Sequence, residues 1–355
     1  MKGKNTKKYI LLKLAIIDYI RKNRLVKNDK LPTVQELIKK YKFSYATVNR
    51  TLIELENEGI IIKHQGKGIY VGTGETAVKK CVGLIIPSPV SEFKMFADIL
   101  NGIKSVLDKA NYTLLISISN MSHQLESENV LQMADRKVDG LIIFMQDYYR
   151  HNYSHISSLK KKKYPFVLID RYIPGLETDY VVVNNKDILY RICSYLKYSR
   201  NCEKIFFVPD PTSTIEITAT EDKISGYLNA VSLLYGKGEN NIIKFDNLVK
   251  NLKKHTPASS NFGIIFNHDA LVLDFIKEVK KKYGRLPSNC HVFGYNNSHS
   301  PWEFPTVEQF NDRIGAEAAK LLIERIENPL KPVKQILVDA KMILPGNKNV
   351  FRMEK

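Results

Sequence analysis

Between Leu31 and Val71 the chain reads LPTVQELIKKYKFSYATVNRTLIELENEGIIIKHQGKGIYV, and few folds accommodate that order of signals. Thr33 stands where its hydroxyl can cap a helix, and Val34, Leu37 and Ile38 then keep a helical stripe. A break at Lys42-Phe43-Ser44 follows, with Ser44 able to cap a second helix. That helix carries Val48, Leu52 and Leu55 on one face and Tyr45, Ala46, Asn49 and Arg50 on another. Gly59 ends it, and Ile60-Ile61-Ile62 has strand composition. His64-Gln65-Gly66-Lys67-Gly68 supplies a tight tip before a second strand, Ile69-Tyr70-Val71. The order predicts a winged helix-turn-helix. Its second helix suits a major groove, and the short basic hairpin suits the adjacent minor groove or backbone.

Charge points the same way. Residues 1–75 hold 16 Lys and Arg against 7 Asp and Glu, a net +9. About half of the chain's +17 thus sits in about a fifth of its length, an electrostatic footprint for a polyanion. The runs Lys160 to Lys163 and Lys280 to Lys282 coincide with no such pattern and read as solvated faces. Upstream, Met1 to Lys8 is basic and Tyr9 to Ile17 largely apolar, which superficially matches a secretory signal. Lys13 interrupts the apolar run, Asp18 follows, and no small-residue cleavage site is present. Leu11, Leu14, Ala15 and Asp18-Tyr19 instead repeat as an amphipathic first helix, with Leu12, Ile16 and Ile20 or their neighbours packing on the next two. No run approaches the ~20 apolar residues of a membrane span. Cys81, Cys193, Cys202 and Cys290 lack metal-ligand spacing, so buried thiols in a reducing cytosol are expected and no metal or cofactor.

At Gly72-Thr73-Gly74-Glu75-Thr76 the composition changes to that of a short flexible joint. The expected division is a head over 1–72, a linker over 73–80 and a body over 81–355. In the body strands and helices alternate. The apolar run Val82 to Pro87 is a strand, Ala97 to Lys109 a helix and Thr113 to Ser117 a strand. Gln124 to Arg136 is a helix, with strands at Gly140 to Phe144 and Phe166 to Ile169. The rhythm repeats as helix Asp187 to Tyr198, strand Lys204 to Pro209, helix Lys223 to Leu234, strand Phe262 to Phe266, helix Ala270 to Tyr283 and strand His291 to Gly294. Such alternation predicts parallel sheets in two α/β halves with a cleft between them, and ligands sit outside the carboxyl ends of such strands. Gly66-Lys67-Gly68 lacks the spacing of a phosphate-binding loop, and no nucleophile–base arrangement emerges.

Two resemblances follow. Leu31-Pro32-Thr33, Ser44-(x2)-Thr47-Val48, Leu55-Glu56-(x2)-Gly59 and Gln65-Gly66-Lys67-Gly68 resemble the DNA-binding domain of the GntR family of bacterial transcription factors. That family usually has arginines where this chain has Gln35, Tyr45 and Asn49; Gln and Asn can still bond adenine and Tyr45 can reach a phosphate. The body resembles the LacI-type effector domain, itself similar to periplasmic sugar-binding proteins. The resemblance rests on Val82-Gly83-Leu84-Ile85-Ile86-Pro87, Asn101-Gly102-Ile103, Val138-Asp139-Gly140-Leu141-Ile142, Ile169-Asp170-Arg171, Val183-Asn184-Asn185, Ser225-Gly226-Tyr227, His268-Asp269 and Phe293-Gly294-Tyr295-Asn296. Together they are similar to the arabinose-repressor kind of chimera. The implied fold is an α/β chain with an N-terminal winged helix-turn-helix and a two-lobed type I periplasmic-binding-protein-like domain built on parallel sheets.

The resemblance implies DNA contacts from Thr33, Gln35, Ser44, Tyr45, Thr47, Asn49, Arg50, His64, Gln65, Gly66 and Lys67. It implies effector contacts from Phe93, Phe96, Arg171, Lys223, His268, Asp269, Asn296 and Trp302. A sugar needs planar hydrogen bonds to its hydroxyls and an apolar wall for its C–H face. Arg171 either offers a rigid fork or only pairs with Asp170 at the strand end, while Asp269 and Asn296 accept and donate at later strand ends. Lys223 replaces the family's arginine, a flexible point charge for a planar fork. His268-Asp269 stands for the family's Asn-Asp pair, and His268 is either a direct ligand or a histidine satisfied within the protein. The loop Ser88 to Phe96 is longer than usual, so Phe93 and Phe96 both match the stacking aromatic approximately. Trp302 either stacks on a sugar or buries in its own loop. The expected protein is a cytoplasmic, non-enzymatic, homodimeric regulator, a repressor of sugar-utilisation genes, pairing through helices near Ala97 to Lys109 and their counterparts in the second lobe, that binds operator DNA and responds to a sugar-like effector. The alternative is a sugar-binding or sugar-processing protein without operator-specific DNA binding.

Overall fold

The computed structural model describes residues 3–64, 66–72, 80–89, 94–136, 138–146, 153–210, 218–236, 241–255, 260–298 and 303–345. They fall into two compact units, Met1–Lys80 and Cys81–Lys355.

The head is built on α1 (Gly3–Lys22), β1 (Lys30–Leu31), α2 (Val34–Tyr41), α3 (Tyr45–Asn57), β2 (Ile61–His64) and β3 (Gly68–Val71). Thr33 caps α2 in a reciprocal box: its hydroxyl accepts from Glu36 N, and Glu36 Oε2 accepts from Thr33 N at 2.7 Å. Lys42, at φ +55, stops that helix, and Ser44 caps α3 by accepting from Thr47 N. The turn is therefore set by a left-handed C-cap, Lys42, and an N-cap, Ser44, with Phe43 between them. The three strands pair antiparallel in the order β1-β3-β2. Leu12 and Ile16 of α1 meet Leu37, Val48, Leu52, Leu55, Ile61 and Ile69 in one core. Leu11 and Leu14, which share the amphipathic repeat, lie outside at 60 % and 58 % exposure. Gly72 is buried and donates to Ile60 O at 2.8 Å, so the first residue of the expected joint is anchored to the head.

The body opens with β4 (Lys80–Ile86), α4 (Lys94–Leu107), β5 (Tyr112–Ile118), α5 (His123–Asp135), β6 (Gly140–Phe144), α6 (Ser154–Lys161), β7 (Phe166–Ile169) and β8 (Tyr180–Val183). A second set follows: α7 (Asn185–Arg200), β9 (Cys202–Val208), α8 (Thr218–Tyr235), α9 (Phe245–Lys250), α10 (Leu252–His255), β10 (Asn261–Phe266), α11 (Asp269–Tyr283) and β11 (Cys290–Phe293). The chain then forms β12 (Thr306–Glu308), α12 (Asn311–Glu327), β13 (Gln335–Val338) and β14 (Lys341–Ile343). The first lobe's sheet runs β13-β8-β7-β6-β4-β5, and the second lobe's runs β11-β10-β9 with parallel pairing throughout. Val82 pairs with Gly140 and Leu141 with Phe166, which keeps the apolar runs in register at the sheet centre. β12 and β14 pair antiparallel.

α12 returns to the first lobe and crosses α4 closely. A Cβ on Gly102 would lie 1.8 Å from Asp312 O, and one on Gly315 would lie 2.1 Å from Ile99 O. Only glycine permits that approach. The buried residues of α4 include Phe96, Ile99, Ile103 and Leu107, while Lys94, Asn101, Lys104 and Ser105 stay exposed.

Candidate DNA interface and effector cleft

On the head, the expected contact residues lie on α2, at the start of α3 and on the wing. Tyr45 is 65 % exposed and Ala46 and Arg50 are exposed, while Asn49 and Thr47 are half-buried. The Arg50 guanidinium lies 4.3 Å from the Tyr9 ring centre, which restricts where that charge can swing. Thr47 Oγ1 is 3.0 Å from Ser44 Oγ, so both hydroxyls work first as a cap. Gln35 is exposed in the first turn of α2. At the wing, Lys67 N donates to His64 O, and Tyr70 OH donates to Lys67 O, both at 3.0 Å. Gly66 and Gly68 take φ +75 and +121, which the turn requires, and the His64 ring packs edge-on against Tyr70 at 5.3 Å. Gln65 lies outside the described residues. Tyr9 and Tyr70, which brace Arg50 and the wing tip, were not among the expected positions; nothing local marks them.

Not every head cation faces outward unpaired. Lys63 is 3.2 Å from Glu56 Oε2, Lys22 is 2.8 Å from Asp18, and Lys13 pairs with Glu58. These pairs use anions already subtracted in the net +9, and Lys67 and Lys30 both stand exposed at the wing, with the Lys30 side chain beside Gly68.

In the body, the strand ends of both lobes carry the expected polar residues. Asp170, at φ +63, turns the chain after β7 and sets Arg171 behind it. Arg171 donates from Nη1 to Met145 O at 3.0 Å, has Nε 3.3 Å from Asp170, and lies 5.1 Å from the Phe144 ring centre. The Met145 carbonyl is itself held: Glu126, fully buried, accepts from Gln146 N at 2.8 Å and meets His155 Nε2 at 3.0 Å. From the second lobe, Lys223 on α8 is 6 % exposed, donates to Asn267 O at 3.1 Å and sits 3.9 Å over the Tyr295 ring. Burial pushes its pKa down to about 8, against the opposing pull of Asp170, Asp269 and Asp210. His268 lies 3.4 Å from Asp210; burial lowers its pKa below the usual value, against the opposing pull of the Asp210 carboxylate. Asp210, after β9, was not anticipated.

Three expected contacts are engaged within the protein. Phe96 is 4 % exposed and packs edge-on against Phe144, so it belongs to the core rather than to a stacking surface. Asp269 is fully buried. Its carboxylate accepts from Ser298 N at 2.7 Å and from Thr306 Oγ1 at 2.6 Å, which ties the segment after β11 to β12. Asn296, at φ +91, accepts from Gln309 Nε2 at 3.1 Å. Phe93 and Trp302 lie outside the described residues. No group of three or more potential metal ligands was found among the described residues.

A winged-helix head and a two-lobed body whose strand ends gather polar side chains define a ligand-linked transcription regulator. Residues 11–71 match the bacterial regulatory proteins of the gntR family, and residues 79–339 match the periplasmic binding proteins and sugar binding domain of LacI family. The chain therefore belongs to the LacI-type sugar-binding-domain family and carries a GntR-type head. It is 24 % identical over 381 residues to the arabinose metabolism transcriptional repressor of Halalkalibacterium halodurans, covering 98 % of each chain. It is 22 % identical to the protein of the same description from Geobacillus stearothermophilus, covering 92 % of this chain and 93 % of that one. Two solved structures share the body's fold. One is a LacI family regulator from Enterococcus faecalis with bound ribose (TM-score 0.57, 22 % identity, 74 % of this chain and 97 % of that one). The other is the regulator CcpA of Lactococcus lactis (TM-score 0.61, 18 % identity, 75 % and 97 %). No described helix is long and apolar enough to cross a membrane.

Proposed function

We propose that this protein is a cytoplasmic, non-enzymatic repressor of sugar-utilisation genes whose operator affinity falls when a small sugar binds between the body's lobes. The observation that carries the reading is that Lys223, bonded to Asn267 in the second lobe, feels the charges of Asp170, the ion-pair partner of Arg171 in the first lobe, and of Asp210, the neighbour of His268. The relatives' description makes pentoses the first effectors to try. In this reading the head spans 1–72, joined through 73–80 to a body over 81–355. Gln35, Asn49 and Arg50 read the major groove, Tyr45 reaches a phosphate, and His64, Gln65, Gly66 and Lys67 follow the backbone, with Thr33, Ser44 and Thr47 placing the helices. Arg171, Lys223, His268 and Asn296 bind sugar hydroxyls, with Phe93 and Trp302 as candidates for the apolar wall. Asp269 positions Ser298, two residues after Asn296, and Thr306.

Two heads on a palindromic operator require paired bodies. The pairing helix expected near Ala97 to Lys109 spends its glycine face on α12 and leaves polar residues outside. The last strand of the six-stranded sheet, β5, has no charged residue or proline and exposes Leu115, Ile116 and Ile118. That edge is the better dimer surface for a second copy of this chain. Ile116→Lys should convert a dimer to a monomer in sedimentation experiments; a wild-type monomer at micromolar concentration would remove the need for it.

The deciding experiment screens the full chain by thermal shift against pentoses, hexoses, deoxyhexoses and their phosphates, then titrates operator DNA with and without the best stabiliser. A sensor couples the two sites reciprocally, by about five- to 150-fold. Saturating sugar that leaves operator affinity unchanged at several salt concentrations would favour a sugar-binding protein without operator control.

A further inference from the structure

Arg171 and Lys223 each have a neighbour in sequence that faces the opposite lobe. Tyr172 OH lies 3.2 Å from both carboxylate oxygens of Asp222, across the gap between β7's end and α8. The Tyr172 backbone reaches over as well: its N–H donates to Thr218 Oγ1 at 3.1 Å, and that hydroxyl lies 3.4 Å from Tyr172 O. Thr218, the first residue of α8, is buried. The Tyr172 ring stacks on Tyr180, the first residue of β8, with centres 4.6 Å apart and planes at 19°. Tyr180 OH in turn donates to Gln335 on β13. The tyrosine is thus pinned to the first lobe's sheet while its hydroxyl and backbone engage the second lobe. Burial, and next to it the Asp222 charge, raises the phenol pKa well above its usual value, so the hydroxyl remains a donor at physiological pH. Asp222 also lies 3.4 Å from Lys186 Nζ on α7, a contact within the second lobe.

The geometry points to Tyr172, Thr218 and Asp222 as an interlobe clasp that holds the body partly closed without ligand and positions Arg171 and Lys223 for the effector. This rests on the reading of the cleft as the effector site. The clasp residues touch no sugar; they set the fraction of molecules already in the binding-competent arrangement. A ligand's apparent affinity scales with that fraction. In a repressor released by effector, the closed arrangement is also the one with lower operator affinity. Loosening the clasp must therefore weaken sugar binding and strengthen DNA binding together, a paired and opposite shift that a general loss of stability does not produce.

The test uses the full chain carrying Tyr172→Phe, which keeps the ring on Tyr180, and Asp222→Ala, with Lys186→Met as the control for the other partner of Asp222. Amide exchange of the ligand-free protein is followed by mass spectrometry. Peptides covering 170–176 and 218–226 should exchange about tenfold faster in both clasp variants, the scale expected for losing a bond to a charged group. Peptides of β6 and β10 should be unchanged, Lys186→Met should match wild type, and the double variant should add little to either single one. Unchanged exchange in Tyr172→Phe would overturn the clasp, as would equal acceleration throughout the body. L-arabinose then serves as the sugar probe by calorimetry, where a weaker Kd in Tyr172→Phe supports the clasp and an unchanged one counts against it. Should wild type bind no L-arabinose, that sugar is removed from the proposed function, while the exchange comparison still decides the clasp.

Discussion

In the proposed reading the head and the cleft both present polar side chains to a partner, but they hold them differently. Around α3 and the wing, Tyr45, Arg50 and Lys67 are exposed, and the hydrogen bonds nearby are caps and turn closures that shape the backbone. In the cleft, Lys223 and Asp269 are buried, and Lys223, Asp269, His268 and Arg171 are already bonded to or beside protein groups. The difference follows from the partners. A duplex is large, rigid and charged, so its reader needs side chains standing in solvent on a fixed frame. A sugar is small and neutral, so a cleft that waits for it must satisfy its own buried donors and acceptors in the meantime. Substitution should therefore cost binding in the head and both binding and stability in the cleft.

The sharpest way to break that contrast is Asp269→Ala. It strips partners from the Ser298 N–H and the Thr306 hydroxyl, at about 1–3 kcal/mol for each group left unpaired. Thermal unfolding of the body should shift down by several degrees, about 2–4 °C per kcal/mol for a domain of this size. Sugar binding should be lost while the head still binds DNA. A normal Tm with lost sugar binding would make Asp269 a direct ligand, as first expected, rather than a positioning residue.

Next comes Lys223, whose charge is held in the folded body at a pKa of about 8 against an ordinary 10.5. Between those two values the unfolded chain binds the proton and the folded one does not, so folding stability from this group rises with pH through that window. Sugar affinity should move the other way, falling up to about tenfold per pH unit above pH 8 as the ammonium is lost. Lys223→Arg, charged at every such pH, should flatten the affinity profile measured by calorimetry from pH 7 to 9.5. A wild-type profile that is flat already would take Lys223 out of contact with the sugar.

The smallest effects belong to the head. Lys67→Ala should weaken operator and random DNA alike and lower the salt slope by about one unit, while Lys63→Ala, paired with Glu56, should change the slope by well under half that. Gln35 and Asn49 replacements should instead alter base preference. Equal slopes for the two lysine variants would show that internal pairing does not sort the head's cations.

Much of this contrast was legible before the fold was known, and the illegible part has a common cause. Gly140–Phe144 and Phe166–Ile169 were expected at the observed bounds, because strands buried on both faces are continuous apolar runs. The caps at Thr33 and Ser44 were equally readable, since a cap is satisfied within three residues. The expected strand–helix series stopped near Gly294 and missed α6, β8, α9, α10, β12, α12, β13 and β14. α12 spreads Ile314, Ala318, Leu321 and Leu322 among charged residues, and its place on α4 depends on a glycine two hundred residues upstream. The cleft failed in the same way. Strand ends located Arg171 and His268, but no local signal tells that Thr306 occupies Asp269, or that Tyr172 meets Asp222 fifty residues on.

The close crossing at Gly102 and Gly315 has a consequence for how the body is made. The second lobe, from Asn185 to Phe293, is continuous in the chain, and its helices and strands can assemble as they leave the ribosome. The first lobe is not: β13 lines one edge of its sheet and α12 covers α4, and both are synthesised after the whole of the other lobe. During translation the earlier strands must wait with an open edge and a bare helix groove. The vulnerable interval in this protein's life is therefore the time taken to synthesise residues 184 to 338, and a ribosome stall within it exposes the first lobe rather than the second.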